Sequence, residues 1–371
     1  MLERPVGVGF IGAGNVLPAY LQVLDRLVPR GLAVEGPVCA RDRSVWPDLQ
    51  RRRPAIQLVA EIEAVLESDV DVVVVITPPG THAELGERAL ESGKHVLVEK
   101  PLAETRAAGE LLAKCARERG LHVLAAPFVQ LAPTFRALWT LVADGAIGHA
   151  HSARGLYGNA GSHWASWYHT GGVGPFAELG VYNVKSLTAL LGAVVEVQAA
   201  EASAVRERVI DGRLVVGLDP DVVHALLRHS GGALSVVTAS QAVQRYRRPA
   251  LEVYGTEGTA NLIGDDWDPR GLEVWRNEAG RWEVYEPIEP TWLWADGLRE
   301  LVLAVREERP PLADIEHDLH VLDVISAVKT AALERSAVRV ESDFEPPALR
   351  LDVAMEDSTH LHDHTRPTDE Q

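Results

Sequence analysis

Residues 6–27, VGVGFIGAGNVLPAYLQVLDRL, carry the pattern on which the fold turns. Val6–Ile11 is a short apolar run rich in β-branched residues, and Gly12-Ala13-Gly14-Asn15 follows without a spacer. Residues 16–27 then place apolar side chains at helical spacing, so the order predicts strand, tight turn and helix. Gly12 allows the turn, Gly14 lets a pyrophosphate approach the backbone, and exposed N–H groups at the positive helix end hold its charge. Gly12, Gly14, Asn15 and Val16 are the expected dinucleotide contacts. Leu17 stands where a third glycine would complete the pattern.

Outward from this unit, strand and helix signals alternate through about residue 125. Strands are expected near 36–40, 58–60, 71–76, 95–98 and 121–125, with helices at 61–67, 82–92 and 105–119. A run such as Val72-Val73-Val74-Val75, apolar on successive residues, suits a strand buried on both faces, as in a parallel sheet covered by helices. From about Pro127 the rhythm changes to long strand candidates joined by turns such as Ser230-Gly231-Gly232 and Gly255-Thr256-Glu257-Gly258. The expected fold class is α/β: a dinucleotide-binding doubly wound domain over 1–126, an α+β domain with a large, open, mainly antiparallel sheet over 127–355, and a polar tail over 356–371.

With 371 residues the chain has room for two substantial cores. A net charge of -17 argues against nucleic acid, whose phosphates require basic stripes; Arg51-Arg52-Arg53 is a solvated helix end. Cys39 and Cys115 are too few for a disulfide framework and suit inert thiols. No apolar leader or membrane-length run is visible, so the expected location is the cytoplasm.

Lys100 ends the run GKHVLVEKP (93–101), at the sheet edge where an open α/β sheet binds its ligand. A lysine there can carry a proton beside the reactive end of a dinucleotide. Thr77, Pro78, Pro79 and His82 follow the buried valine run on the same edge and, with Glu99, are expected on the cofactor side; Thr81 is a candidate helix cap. After the second strand come Arg41-Asp42-Arg43. Arg41 and Arg43 suit the 2′-phosphate of NADP, whereas an acidic residue at the strand end would accept the ribose hydroxyls of NAD. NADP is preferred, with NAD the alternative.

Together GFIGAGNV, TPPGTHAEL, GKHVLVEKP, GGVGPFAELGVYNV and LEVYGTEGTANL resemble, in order and spacing, the Gfo/Idh/MocA family of oxidoreductases. The resemblance spans nearly the whole chain. It implies an N-terminal Rossmann domain and a C-terminal domain whose open sheet commonly mediates oligomerisation, here a homodimer or homotetramer. It also implies hydride transfer between NAD or NADP and a carbinol or ketone of a sugar, inositol or polyol. The family lysine beside the nicotinamide maps to Lys100, and the peptide before its proline is often cis. In the second motif, Glu178 replaces the usual Asp and Tyr182 the usual His.

Hydride cannot leave a C–H carbon efficiently unless the adjoining O–H proton is removed. Lys100 and Tyr182 are expected to act as a coupled pair, the ammonium favouring phenolate, with Glu178 orienting Lys100 or the substrate. A blander alternative buries Glu178 and Tyr182 silently on a helix. His163, Trp164, Trp167 and Tyr168, together with Asn159 and His169, are candidates for the substrate wall, since aromatic faces stack on sugar rings. His317 and His320, on a helix whose other residues are expected to meet solvent, and the tail histidines His360, His362 and His364 give no metal site, for want of orienting partners. A redox-assisted lyase or glycosidase that retains its cofactor, and a non-catalytic dinucleotide-binding regulator, remain as other readings.

Overall fold

The computed structural model describes residues 4–163, 167–170, 174–247 and 249–351. Its first sheet has the strands β1 (Val6–Ile11), β2 (Ala33–Cys39), β3 (Leu58–Val59), β4 (Val72–Val75), β5 (His95–Val98) and β6 (Val123–Ala125). They are parallel, in the order β3-β2-β1-β4-β5-β6. This is the doubly wound order whose ligand crevice opens at the carboxyl ends of the strands. All four valines of β4 are fully buried, because helices cover both faces.

One face is covered by the helix Leu17–Leu27 and the other by His82–Glu91 and Arg106–Arg119. A distant segment joins the first face. Leu298, Leu301, Val302 and Val305 of the helix Gly297–Glu307 share a core with Val6, Val8 and Leu24. A boundary at residue 126 assigns that helix to the second domain; its apolar stripe packs on the first.

Gly12 lies immediately after β1 with φ of +111°, and its N–H donates to Cys39 O at 3.0 Å. A Cβ there would sit 2.8 Å from Ile76 O, so glycine is required by both conformation and space. The tight turn follows from that restriction.

The second sheet contains β7 (Ala150–Gly158), β8 (Val194–Ala202), β11 (Val222–His229), β12 (Leu234–Ser240), β13 (Leu251–Gly255), β14 (Gly258–Asp265), β15 (Asp268–Arg276), β16 (Arg281–Tyr285) and β17 (Val338–Arg339); β9 (Glu207–Ile210) and β10 (Arg213–Val216) form a separate hairpin. The order is β16-β15-β14-β13-β7-β12-β11-β8-β17, antiparallel except for the parallel pair β7 and β12. Along β11, Val223, Ala225, Leu227 and His229 are buried, while His224, Leu226 and Arg228 are exposed. That alternation gives the sheet one face for the core and one for solvent. The helices Pro133–Ala143, Val181–Leu191 and Ile315–Glu334 cover the inner face through Phe135, Leu187 and Val324.

Strand β9 and all but the arginine end of the helix Trp46–Arg52 escape the sequence pattern because charged residues interrupt both and neither buries a continuous stripe. Cys39 and Cys115 are buried free thiols. Among the described residues no helix is long and apolar enough to cross a membrane.

Candidate active site

Strand β5 delivers Glu99 and Lys100 to the crevice, and the Lys100–Pro101 peptide bond is cis. The facing wall is a π-helical turn, Phe176–Gly180, leading into the helix Val181–Leu191. That turn directs both the carboxylate and the main-chain carbonyl of Glu178 at one ammonium: Lys100 Nζ pairs with Glu178 Oε2 and donates to Glu178 O at 3.2 Å. The side chains of Lys100 and Glu178 are 16% and 3% exposed. Burial alone pushes the Lys100 ammonium down, but the charge and hydrogen bond of Glu178, with the fields of Tyr168 and Glu99, leave it raised overall. Lys100 therefore holds its proton at neutral pH.

Tyr182 stands elsewhere in this field. Burial first, then Tyr157, Glu99, Glu178 and Asp266, hold its phenol well above the ordinary range, and its ring meets Tyr157 edge-on at 5.3 Å. The phenol that shares a field with Lys100 is Tyr168, on the short helix Trp167–Thr170. Burial and Glu178 raise it, while Lys100 and hydrogen bonds with Gln241 and Asn159 act against them. The structure thus brings Lys100 together with Glu178 and Tyr168, and leaves Tyr182 a neutral phenol amid acidic groups. Burial and the acidic groups around Tyr182 keep the proton on its phenol, which runs against a Lys100–Tyr182 couple working through a phenolate.

Glu99 is locked from both sides: Tyr20 Oη donates to Oε1 at 2.7 Å and the Lys100 N–H to Oε2 at 3.1 Å. With Tyr182, Phe128, Trp267, Trp292 and Trp294 it encloses a cavity of about 10 Å³, roughly the room of one water. The buried indole N–H groups of Trp267 and Trp292 have no partner among the described residues. Trp267 sits on the turn between β14 and β15, next to Asp266, whose carboxylate accepts from Asn183 Nδ2 at 2.8 Å and Ser186 Oγ at 3.3 Å. The hairpin tip is thereby clamped to the helix carrying Tyr182. Burial pushes Asp266 up to about 7. The sequence reading missed Tyr20, Asp266 and these three tryptophans; the only local signal was the density of Trp in TWLW (291–294).

On the cofactor side, a Cβ at Gly14 would meet nothing within 4 Å, leaving an open cradle at the helix start. Asn15 and Arg41 are exposed, and Val16 is the N-cap of the helix Leu17–Leu27. Asp42, itself exposed, accepts from Ser44 N at 2.9 Å, capping the short turn Arg43–Val45. Arg43 lies over the Trp46 ring at 5.4 Å, and Trp46 Nε1 donates to Ala40 O at 2.8 Å. Thr77 Oγ1 and Thr81 Oγ1 are 2.7 Å apart, and Thr81 Oγ1 donates to Pro78 O at 2.9 Å, so Thr81 closes the loop containing Pro78 and Pro79 instead of capping a helix. His82 is 1% exposed and both its ring nitrogens are taken by main-chain carbonyls, which leaves neither for a cofactor.

Among the candidate wall residues, His163 is exposed and its carbonyl accepts from Asp211 N. His169 is buried between Gln241 Oε1 and Ser162 O, and Asn159 Oδ1 accepts from Gly161 N. Trp164, the side chain of Trp167 and the tail histidines lie outside the described residues. His317 and His320 belong to a buried helix face, contrary to the expectation of a solvated one: His317 Nε2 meets Thr188 Oγ1 and His320 Nε2 accepts from Val194 N. The long helix packs between both domains, which is why its histidines are interior.

Residues 6–126 match an oxidoreductase family with an NAD-binding Rossmann fold, and residues 135–261 match the GFO/IDH/MocA C-terminal domain. The chain is 27% identical over 270 residues to trans-1,2-dihydrobenzene-1,2-diol dehydrogenase of Bos taurus, covering 72% of this chain and 76% of that one. It is 28% identical over 287 residues to 1,5-anhydro-D-fructose reductase of Ensifer adhaerens, covering 76% and 83%. An NAD-binding oxidoreductase from Klebsiella pneumoniae superposes with a TM-score of 0.81 at 23% identity, over 92% of this chain and 100% of that one, a likeness of fold.

Proposed function

We propose, from the premise that this chain belongs to the GFO/IDH/MocA family of oxidoreductases, that it is an NADP-dependent enzyme reducing a ketone, or oxidising the matching carbinol, on a sugar-like or cyclic diol substrate. The observation that carries the chemistry is the Lys100–Glu178 pair at the carboxyl end of β5. The open cradle at Gly14 fits a dinucleotide pyrophosphate, since the missing side chain leaves room for the phosphates against the backbone. When bound, the nicotinamide supplies the hydride for reduction or accepts it in oxidation.

In the reducing direction, Lys100 gives its Nζ proton to the substrate oxygen as that oxygen gains negative charge. Glu178 holds the ammonium in place and keeps it protonated until then. Tyr182 stays a neutral phenol and offers a hydrogen bond to the same oxygen or its neighbour. In oxidation the neutral Lys100 amine takes the hydroxyl proton, which requires higher pH. Trp267, Trp292 and Trp294 close the water-sized cavity beside Glu99 and Tyr182, and the two indole N–H groups without a partner among the described residues suit that water as acceptor.

NADP is favoured because the Asp42 carboxylate accepts from Ser44 N within its own turn while Arg41 is exposed. The exposed sheet face carrying Leu226 and Val236 supports assembly into a homo-oligomer, and two buried free thiols fit the cytoplasm. The test is turnover of trans-1,2-dihydrobenzene-1,2-diol and 1,5-anhydro-D-fructose, and of a panel of cyclic sugars, with NADP(H) and NAD(H). Net change in nicotinamide absorbance supports the proposal. Product without net change supports a retained cofactor, and no turnover with tight cofactor binding supports a regulator.

A further inference from the structure

We propose that His82 is a positioning residue that fixes Lys100 by donating both ring N–H groups, one to each of two loops at the crevice. His82 Nδ1 lies 2.8 Å from Pro101 O and Nε2 lies 2.7 Å from Thr77 O. A main-chain carbonyl can only accept a hydrogen bond. A neutral imidazole has one N–H, so one of these contacts would set a lone pair against a carbonyl oxygen at hydrogen-bond distance. The ring that fits carries a proton on both nitrogens. Two charge-assisted hydrogen bonds offset the loss of water around it, and the Glu104 carboxylate lies against Gly80 in the same turn.

The two carbonyls are the ends of the crevice loops. Pro101 is bonded to Lys100, and Thr77 lies two residues after β4 in the segment that runs through Pro78 and Pro79. A rigid ring bridging them sets the spacing between the carboxyl ends of β4 and β5, and with it the place of Lys100 Nζ against Glu178. A shift of about 1 Å in such a group is enough to change rates by orders of magnitude. That His82 matters to catalysis rests on the role proposed for Lys100; that it donates twice and places Lys100 does not.

Nitrogen-15 spectra of the labelled full chain, bound to NADPH, test the donation directly. Both His82 nitrogens should carry hydrogen at neutral pH, and one bare nitrogen would overturn the proposal. The positioning is read from the Lys100 ammonium signal and NADPH affinity in His82→Phe. The control is His229→Phe, a ring equally buried in the second sheet between Gly192 O and Ser235 Oγ. His82→Phe should shift the Lys100 signal and weaken NADPH on the order of tenfold, whereas His229→Phe should lower the melting temperature and leave both readouts in place. An unmoved Lys100 signal in His82→Phe, or equal effects in the two variants, sinks the idea. If His82→Phe does not fold, the wild-type nitrogen spectrum decides. Failure of the substrate panel with these signals intact would fault the proposed reaction and not His82.

Discussion

The ammonium of Lys100 meets both the carboxylate and the main-chain carbonyl of Glu178, a residue 78 positions later in the chain. Strand β5 brings one partner from the first domain and the π-helical turn brings the other from the second. A wider helical turn frees a carbonyl for a side chain, which is one reason such turns occur at functional sites.

Lys100→Ala should reduce turnover by roughly 10²–10⁴, the range of a lost general acid, while NADPH affinity stays within a few-fold. Steady-state rates and fluorescence titration check the two halves. Glu178→Gln removes the main influence that raises Lys100, so its pKa should fall. Ketone reduction needs protonated lysine, and the pH–rate profile of the variant should therefore begin its decline at lower pH than the wild type.

Arg41→Ala should weaken NADPH about tenfold and leave NADH nearly unchanged, because only NADPH has a phosphate for the guanidinium to hold. The difference should shrink in high salt, as expected for an exposed contact. Equal losses for both cofactors would mean that Arg41 does not read the phosphate.

Asp266 predicts the pH dependence of stability. Its folded pKa of about 7 lies above the ordinary value of 3.8, so the folded state binds the proton more tightly than the unfolded chain. That contribution is fully present below about pH 4 and is lost as pH rises to about 7. Asp266→Asn keeps an acceptor for Asn183 but cannot ionise. It should flatten this part of the pH–stability curve and stabilise the protein at pH 8 by up to about 4 kcal/mol, read by denaturant titration.

Lys185, fully buried, pairs with Asp318 and donates to Ala125 O at 3.0 Å, tying the helix Val181–Leu191 to the end of β6. Lys185→Met should cost about 3–5 kcal/mol by leaving the Asp318 charge unpaired, and Lys185→Met with Asp318→Leu should recover much of that. Melting curves of the single and double variants separate an unpaired charge from lost packing.

The Rossmann half was legible because a fully buried parallel strand has to be apolar throughout, as Val72–Val75 are, and because Gly12 satisfies a turn that no other residue fits. Lys100 was legible for a similar reason, since its place at the end of β5 follows from counting along one strand. The tryptophan-lined cavity beside Glu99 was not. The tryptophans that line the cavity come from a hairpin tip and from the segment before the helix Gly297–Glu307, far along the chain from the stretch that sequence density favoured.

The periodicity and glycine placement of the chain by themselves determined two domains, the parallel sheet and the edge at which Glu99 and Lys100 emerge, because those features depend on local backbone geometry and one-dimensional burial. Only the tertiary structure decided the other partners: the main-chain carbonyl of Glu178 and the field of Tyr168 for Lys100, Tyr20 for Glu99, two loop carbonyls for His82. Protonation follows from the charges and solvent around a group, and those are set by segments that meet only when the two sheets pack.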